Sequence, residues 1–406
     1  MQWVSALSTQ PSLEAAVQEV VARAQRLPAP DLAFVFISAA FASEYSRLLP
    51  LLQAALPLTA LIGCSGGGVL GVTPDAQVQE VEGNAALSLT LAYLPQVNVQ
   101  PFHLSAAALP DLDSPPDAWI DLIGVPPQDK PQFVLLASPL SAGVSELLQG
   151  LDFAYPGSVK VGGLASVNGG SSGLFCNRDY HLDGIVGVAL SGNIVMDAIV
   201  AQGCRPIGAA YRVAAAERNI LTQLEPVDAE ATDSATGETP LAILQTLFQD
   251  LNDADRAMAQ QSLFVGVAQS AFKQELEQGD FLIRNLLGVD PKSGAIAVGD
   301  RIRPGQRIQF HLRDAAASAE DLRMLLERYV QTQTDRPAPV GALMFACMGR
   351  GQGLYQQPNF DSMLFAEYLG LTPLSGFFCN GEIGPVGDST FLHGYTSVFG
   401  ICRPAR

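Results

Sequence analysis

Three stretches of the chain follow one plan, and this recurrence constrains the fold more than any other feature. In the first, the apolar run 32–38 reads as a buried strand and 44–56 as a helix. Residues 60–68 (ALIGCSGGG) read as a strand running into glycines, and 85–94 as a closing strand. The second stretch repeats this with a strand at 133–138, a helix from Ala142 to Leu151 with Ser141 as N-cap, and the segment 161–166 (VGGLAS). That segment leads into Asn168-Gly169-Gly170, and the closing strand is 184–190. The third has a strand at 341–347, a helix from Phe360 to Leu369 with Gly370 at its C-cap, the segment 375–384 (SGFFCNGEIG) and a closing strand at 395–401. From Gly63, Gly162 and Gly376 to the closing strands at Ala85, Gly184 and Gly394 the separations are 22, 22 and 18 residues. Internal duplication explains this spacing; the alternative is chance recurrence of a common α/β rhythm.

Between the second and third stretches the pattern changes. Residues 226–239 are acidic and polar and read as a linker. Thr239-Pro240 opens a helix with Leu244, Leu247 and Phe248 on one face. Strands are expected at 263–268, 281–287 and 308–312, and Ser318 to Asp321 should cap an amphipathic helix carrying Leu322, Leu325, Leu326 and Tyr329. The expected fold class is therefore α/β in the mixed α+β sense. It comprises two lobes of mixed β-sheet with packed helices, at 1–225 and 240–406, built from repeated β-α-β-β units.

Composition narrows the function. The net charge is −17, which argues against a nucleic acid or an anionic membrane surface as partner. Charged residues are only 16% and hydrophobic ones 48%, so a large core is available. No apolar stretch reaches the roughly 20 residues of a membrane span, and the N-terminus lacks the signature of a signal peptide. The six cysteines are scattered without a CxxC pair and the four histidines lie far apart. Reduced thiols, a cytoplasmic location and no metal or cofactor are expected.

Gly63-Cys64-Ser65-Gly66-Gly67 matches G-x-S-x-G, yet it leads into an extended stretch rather than the helix a nucleophile elbow requires. Its glycines instead offer backbone N–H groups to an anion, or merely allow tight strand crossing. Cys64, Ser65, Gly66 and Gly67 are accordingly candidate ligand contacts. In the third stretch Arg350, Asn380, Glu382 and His393 gather at strand ends, where α/β folds place ligands. Arginine grips carboxylates and glutamate accepts from ammonium groups, which together suit a small zwitterion such as an amino acid. The structural alternative is an Arg350–Glu382 ion pair. Arg313, ending an apolar strand, completes the candidates. A nucleophilic Cys379 with His393 as base, or a reactive Cys64, is the sharper and weaker alternative.

At these segments the sequence resembles the FIST family, the sensory domain of F-box and intracellular signal transduction proteins. The stretches 62–71, 161–170 and 201–208 resemble its N-domain. The stretches 279–290, 308–315, 341–351, 376–387 and 391–397 resemble its C-domain. The resemblance implies a module that binds small ligands, with amino acids proposed, and that is often joined to signalling outputs or an F-box. It supplies no catalytic residues. The expectation is a stand-alone sensor that is not an enzyme, binds an amino-acid-like ligand and relays through a signalling protein partner. A protein-interaction scaffold is the alternative.

Overall fold

The computed structural model describes residues 1–27, 29–166, 172–227, 237–269, 273, 276, 279–333 and 336–405. Asn168-Gly169-Gly170 and most of the acidic segment 226–239 lie outside the described residues.

Each repeat forms strand, helix, strand, helix, strand, hairpin, strand. The first comprises β1 (Gln2–Ser8), α1 (Leu13–Ala24), β2 (Leu32–Ser38), α2 (Tyr45–Ala55), β3 (Leu61–Gly66), β4 (Gly68–Val72), β5 (Val78–Glu82) and β6 (Leu87–Tyr93). The second comprises β7 (Val97–Leu104), α3 (Pro116–Ile123), β8 (Gln132–Ala137), α4 (Val144–Ala154), β9 (Lys160–Leu164), β10 (Leu174–Cys176), β11 (Asp179–His181) and β12 (Ile185–Gly192). The third opens with β13 (Val195–Gln202) and is then interrupted. The insertion holds β14 (Cys204–Glu217), β15 (Ile220–Pro226), α5 (Pro240–Asp250), α6 (Asp253–Ser262), β16 (Leu263–Ala268), β17 (Phe281–Val289), β18 (Ile296–Val298) and β19 (Arg307–Arg313). The repeat resumes with α7 (Ala315–Gln331), β20 (Gly341–Cys347), a short α8 (Gln352–Tyr355), α9 (Phe360–Leu369), β21 (Leu374–Cys379), β22 (Glu382–Val386), β23 (Ser389–His393) and β24 (Thr396–Arg403).

The hairpins do not stay in their own sheets. The three six-stranded mixed sheets run β1-β6-β2-β3-β10-β11, β23-β22-β9-β8-β12-β7 and β13-β24-β20-β21-β4-β5. The first repeat lends its hairpin to the third, the second to the first, and the third to the second. The exchange binds the three repeats into one compact unit, and the insertion in the third repeat makes that unit discontinuous in sequence. It gathers 1–201 with 322–406, and the other unit is 202–321. The division therefore does not fall at 226–239, because strands from both halves of the sequence share sheets.

The central strands explain the packing. In β2, Phe34 and Phe36 face a core shared by the three sheets, while Ala33, Val35 and Ile37 pack under α1 and α2. In β8, Val134 and Leu136 face that same core, and Phe133, Leu135 and Ala137 lie under α3 and α4. Leu343 and Phe345 of β20 repeat this, with Ala342, Met344 and Ala346 under α7 and α9. Burial on both faces is why these strands read as continuous apolar runs. Residues 202–321 form a closed barrel in the order β14-β15-β18-β17-β16-β19. Alternate residues such as Ile308, Phe310 and Leu312 fill it.

Two expected caps are corrected. Gly143, at φ 89°, precedes α4, so Ser141 is not its N-cap. The amphipathic helix starts at Ala315, where Asp314 Oδ1 accepts from the N–H groups of Ala316 and Ala317, so Ser318 lies inside it.

Candidate functional site

The three glycines picked out by spacing are structurally equivalent. Gly63, Gly162 and Gly376 stand opposite Val35, Leu135 and Met344 in parallel strand pairs. A Cβ at Gly63, Gly162 or Gly376 would lie 2.1, 1.8 or 1.8 Å from the opposing carbonyl oxygen. These glycines let the central strands approach closely.

Beyond them the carboxyl ends of the central strands converge through hydrogen bonds between repeats. Ser166 N donates to Ser65 O at 3.0 Å, and Gly67 N donates to Phe378 O at 3.1 Å. Ser65 N donates to Gly173 O at 2.9 Å. Ser65 Oγ donates to Ser166 O (3.1 Å) and accepts from Gly173 N (3.0 Å), while Ser166 Oγ donates to Phe378 O (2.9 Å). The N–H groups of Ser65 and Gly67 are thus engaged with backbone oxygens, not held out to an anion. A Cβ at Gly66 would meet Gly68 O at 2.5 Å, and one at Gly67 the Met348 side chain at 2.9 Å. Gly66 permits the tight passage from β3 to β4 against Phe377, and Gly67 leaves room for the Met348 side chain. Strand β4 follows the G-x-S-x-G match where a nucleophile elbow needs a helix.

The repeats differ most at one position. Val69 on β4 pairs with Phe377, Leu174 on β10 with Cys64, and Glu382 on β22 with Gly163. Each partner is the residue after the equivalent glycine, so Val69, Leu174 and Glu382 are equivalent. Val69 and Leu174 belong to the central core. Glu382 is 0% exposed, so a carboxyl stands where symmetry places hydrocarbon. Its Oε2 accepts from Thr396 N (3.1 Å) and Thr396 Oγ1 (2.8 Å); its Oε1 has no nitrogen or oxygen partner, and the weakly donating Cys347 thiol is the carboxyl's remaining hydrogen-bonding neighbour. Burial pushes its pKa up to about 8, against the Thr396 hydrogen bonds, the Arg350 charge and the nearby Cys347 thiol. His393 is its cross-strand partner, and the ring Nε2 lies 3.0 Å from Gly384 O. Asn380 is exposed, and its N–H donates to Leu164 O at 3.1 Å.

Arg350 is 1% exposed and gripped by a residue the sequence did not single out. Its Nε and Nη2 donate to Asp361 Oδ2 and Oδ1 at 2.7 and 3.0 Å, and Nη2 also reaches the Tyr355 hydroxyl. Burial opposes the charge, but Asp361 and Tyr355 outweigh it and hold the Arg350 pKa above its ordinary value. The fork expected to hold a ligand carboxylate is therefore occupied by Asp361, and the structural partner is not Glu382. Nη1 alone has no hydrogen-bond partner. Asp361 sits in the first turn of α9, on its buried face, and a carboxylate there is the one sequence signal that would have marked it.

Cys64 and Cys379 are fully buried, and burial pushes both thiols well above their ordinary range. Cys347 is partly exposed, yet burial pushes its thiol up to about 12. None is an activated thiolate. Arg313 ends β19 in the 202–321 unit, half-buried beside Cys204, whereas the other eight expected site residues belong to the three-sheet unit. Among the described residues no group of three or more His, Cys, Asp or Glu is arranged to hold a metal. Nor is any helix long and apolar enough to cross a membrane.

What these observations define is a three-repeat mixed α/β protein with a buried polar cluster at the ends of its central strands. The comparisons with known proteins agree. The FIST N domain matches residues 31–226 and the FIST C domain residues 240–385, and the chain belongs to the FIST family, which is associated with sensory roles in signal transduction. An uncharacterized protein of Mycobacterium tuberculosis (strain H37Rv) is 34% identical over 397 residues, 96% of this chain and 97% of that protein. An uncharacterized protein of Mycobacterium bovis is 36% identical over 266 residues, 65% of each chain. An F-box/LRR-repeat protein of Arabidopsis thaliana is 25% identical over 252 residues, 56% of this chain and 46% of that protein.

Proposed function

We propose that this protein is a cytoplasmic sensory module that binds a small zwitterion, an amino acid or a close relative, without turning it over, and relays its occupancy to a signalling partner. One observation carries the reading. Glu382 is a buried carboxyl whose proton burial retains up to about pH 8, Arg350 is a buried guanidinium, and each leaves a single atom without a nitrogen or oxygen partner, Oε1 and Nη1. A ligand ammonium would have to displace the Glu382 proton. A buried carboxyl in place of Val or Leu costs stability, and an unmet acceptor adds about 1–3 kcal/mol. A ligand ammonium at Oε1 and a ligand carboxylate at Nη1 would satisfy both. Cys347, the partly exposed neighbour of Glu382, marks the side of approach. The raised thiols and the engaged Ser65 hydroxyl favour binding over covalent catalysis.

Calorimetric titration with a panel of amino acids tests this. A selective amino acid should bind saturably, and Glu382→Gln should weaken it by about tenfold or more. Equal binding by the parent, Glu382→Gln and Glu382→Leu would remove Glu382 from the site. Arg350→Ala is the poorer probe, because it also strands Asp361.

A further inference from the structure

We infer a second binding site, for a small organic ammonium ion, in the cleft of about 470 Å³ bordered by Glu80 and Glu82 of β5. The two glutamates are two residues apart on a strand and so face the same way. Glu80 is 7% exposed; its Oε1 accepts from Ser362 N at 2.8 Å, while its buried Oε2 has no hydrogen-bond partner. Glu82 Oε1 accepts from Gln352 N at 2.9 Å. Thr9 and Asn84 add neutral polar groups, Pro11 and Pro358 add apolar walls, and none of the lining residues is cationic.

This combination suits an alkylammonium better than a metal. A calcium ion needs about six to eight oxygens within about 2.6 Å, usually with several carboxylates among them, whereas the described residues contain no group of three or more His, Cys, Asp or Glu arranged to hold a metal. A cleft of this size accepts several heavy atoms, with the prolines beside the alkyl chain and N–H donors directed at the carboxylates. The net charge of −17 draws cations toward it. The inference rests on Glu80 and the cleft and is independent of Glu382.

Proton linkage gives the site a signature. Burial, then the Asp361 charge, pushes Glu80 up to about 7, with Glu82 acting in the same direction. Tyr355 and the Arg350–Asp361 pair are its other charged or titratable neighbours. An ammonium ion binds the ionised carboxylate, so affinity should fall as pH drops from 8 to 6.

The test is calorimetry of the full chain with butylammonium chloride, and with tetramethylammonium, magnesium and calcium chlorides at equal ionic strength. Butylammonium should bind saturably and tetramethylammonium, which has no N–H donor, at least about tenfold more weakly. Glu80→Gln and Glu82→Gln keep acceptors for Ser362 and Gln352, so both should fold. Each should weaken butylammonium binding by about tenfold or more. The pH dependence should persist in Glu82→Gln and vanish in Glu80→Gln. Absence of saturable heat, equal affinity in both variants, or preferential binding of magnesium or calcium would overturn the proposal.

Discussion

Replacing Glu382 by glutamine should make the three-sheet unit more stable at alkaline pH and leave it nearly unchanged in acid. The side chain is fully buried, and its pKa stands at about 8 against an ordinary value of 4.5. With the folded value raised, the native state keeps its proton over a range where the unfolded chain has released it. The protonated carboxyl's contribution is therefore complete below pH 4.5 and is lost as pH rises through 8. Integrating between pH 5.5 and 8.0 gives a loss of about 3 kcal/mol for the parent, which the glutamine variant escapes. Glutamine retains an acceptor for Thr396, so the comparison isolates the proton.

The assay is urea denaturation at both pH values, read by tryptophan fluorescence. Trp3 and Trp119 are the only tryptophans, both are buried, and both belong to the three-sheet unit with Glu382. Glu80, also pushed up, tilts parent and variant alike and cancels in their difference. A difference between parent and Glu382→Gln that stays constant between pH 5.5 and 8.0 would refute the argument. The carboxyl would then not be a buried proton holder, and its departure from symmetry would lose its energetic meaning.

Other perturbations follow from the same geometry. Gly162→Ala puts a Cβ 1.8 Å from Leu135 O and should cost about 4 kcal/mol or more, seen as loss of the cooperative urea transition. Arg350→Met and Asp361→Leu should each cost about 3–5 kcal/mol by stranding a buried partner, while the double variant recovers most of the loss in the same assay. Labelling of the native protein with Ellman's reagent at pH 8 should begin at Cys347, at least about a hundredfold more slowly than in urea; prompt labelling of Cys64 or Cys379 would contradict their burial.

The central strands were legible because burial on both faces writes an unbroken apolar run, as in Leu32–Ser38. Helix α9 was legible to the residue, since Gly370 terminates it. The hairpin exchange was not. Strand β4 is Gly-Val-Leu-Gly-Val, too short and too rich in glycine to show alternation. Its pairing with Phe377, about three hundred residues away in sequence, depends on contacts that no local pattern encodes. At the candidate site, Glu382 and His393 lay in the neighbouring stretches 376–387 and 391–397 and are cross-strand partners. Asp361 escaped because an arginine marks its need for a carboxylate without saying which one will arrive. Arg313 ended an apolar strand as expected, but that strand closes a barrel in the other unit.

Repetition makes the exceptions informative. Three copies of one packing problem meet in the shared core, and two solve it with Val69 and Leu174. The residue opposite the third copy's position is Gly163, which leaves room for a side chain of any chemistry. Glu382 instead brings a carboxyl that must be kept protonated or matched by a ligand. Arg350 departs in the same repeat: six residues after the equivalent strand positions Val35, Leu135 and Met344 the chain carries Phe41, Ser141 and Arg350. Polar departures thus concentrate in the copy that also carries the inserted barrel. Strand β22, which bears Glu382, belongs to the third repeat but completes the sheet of the second. A ligand on this residue would act on a junction that holds two repeats together, where a change in occupancy is coupled to packing rather than confined to a loop.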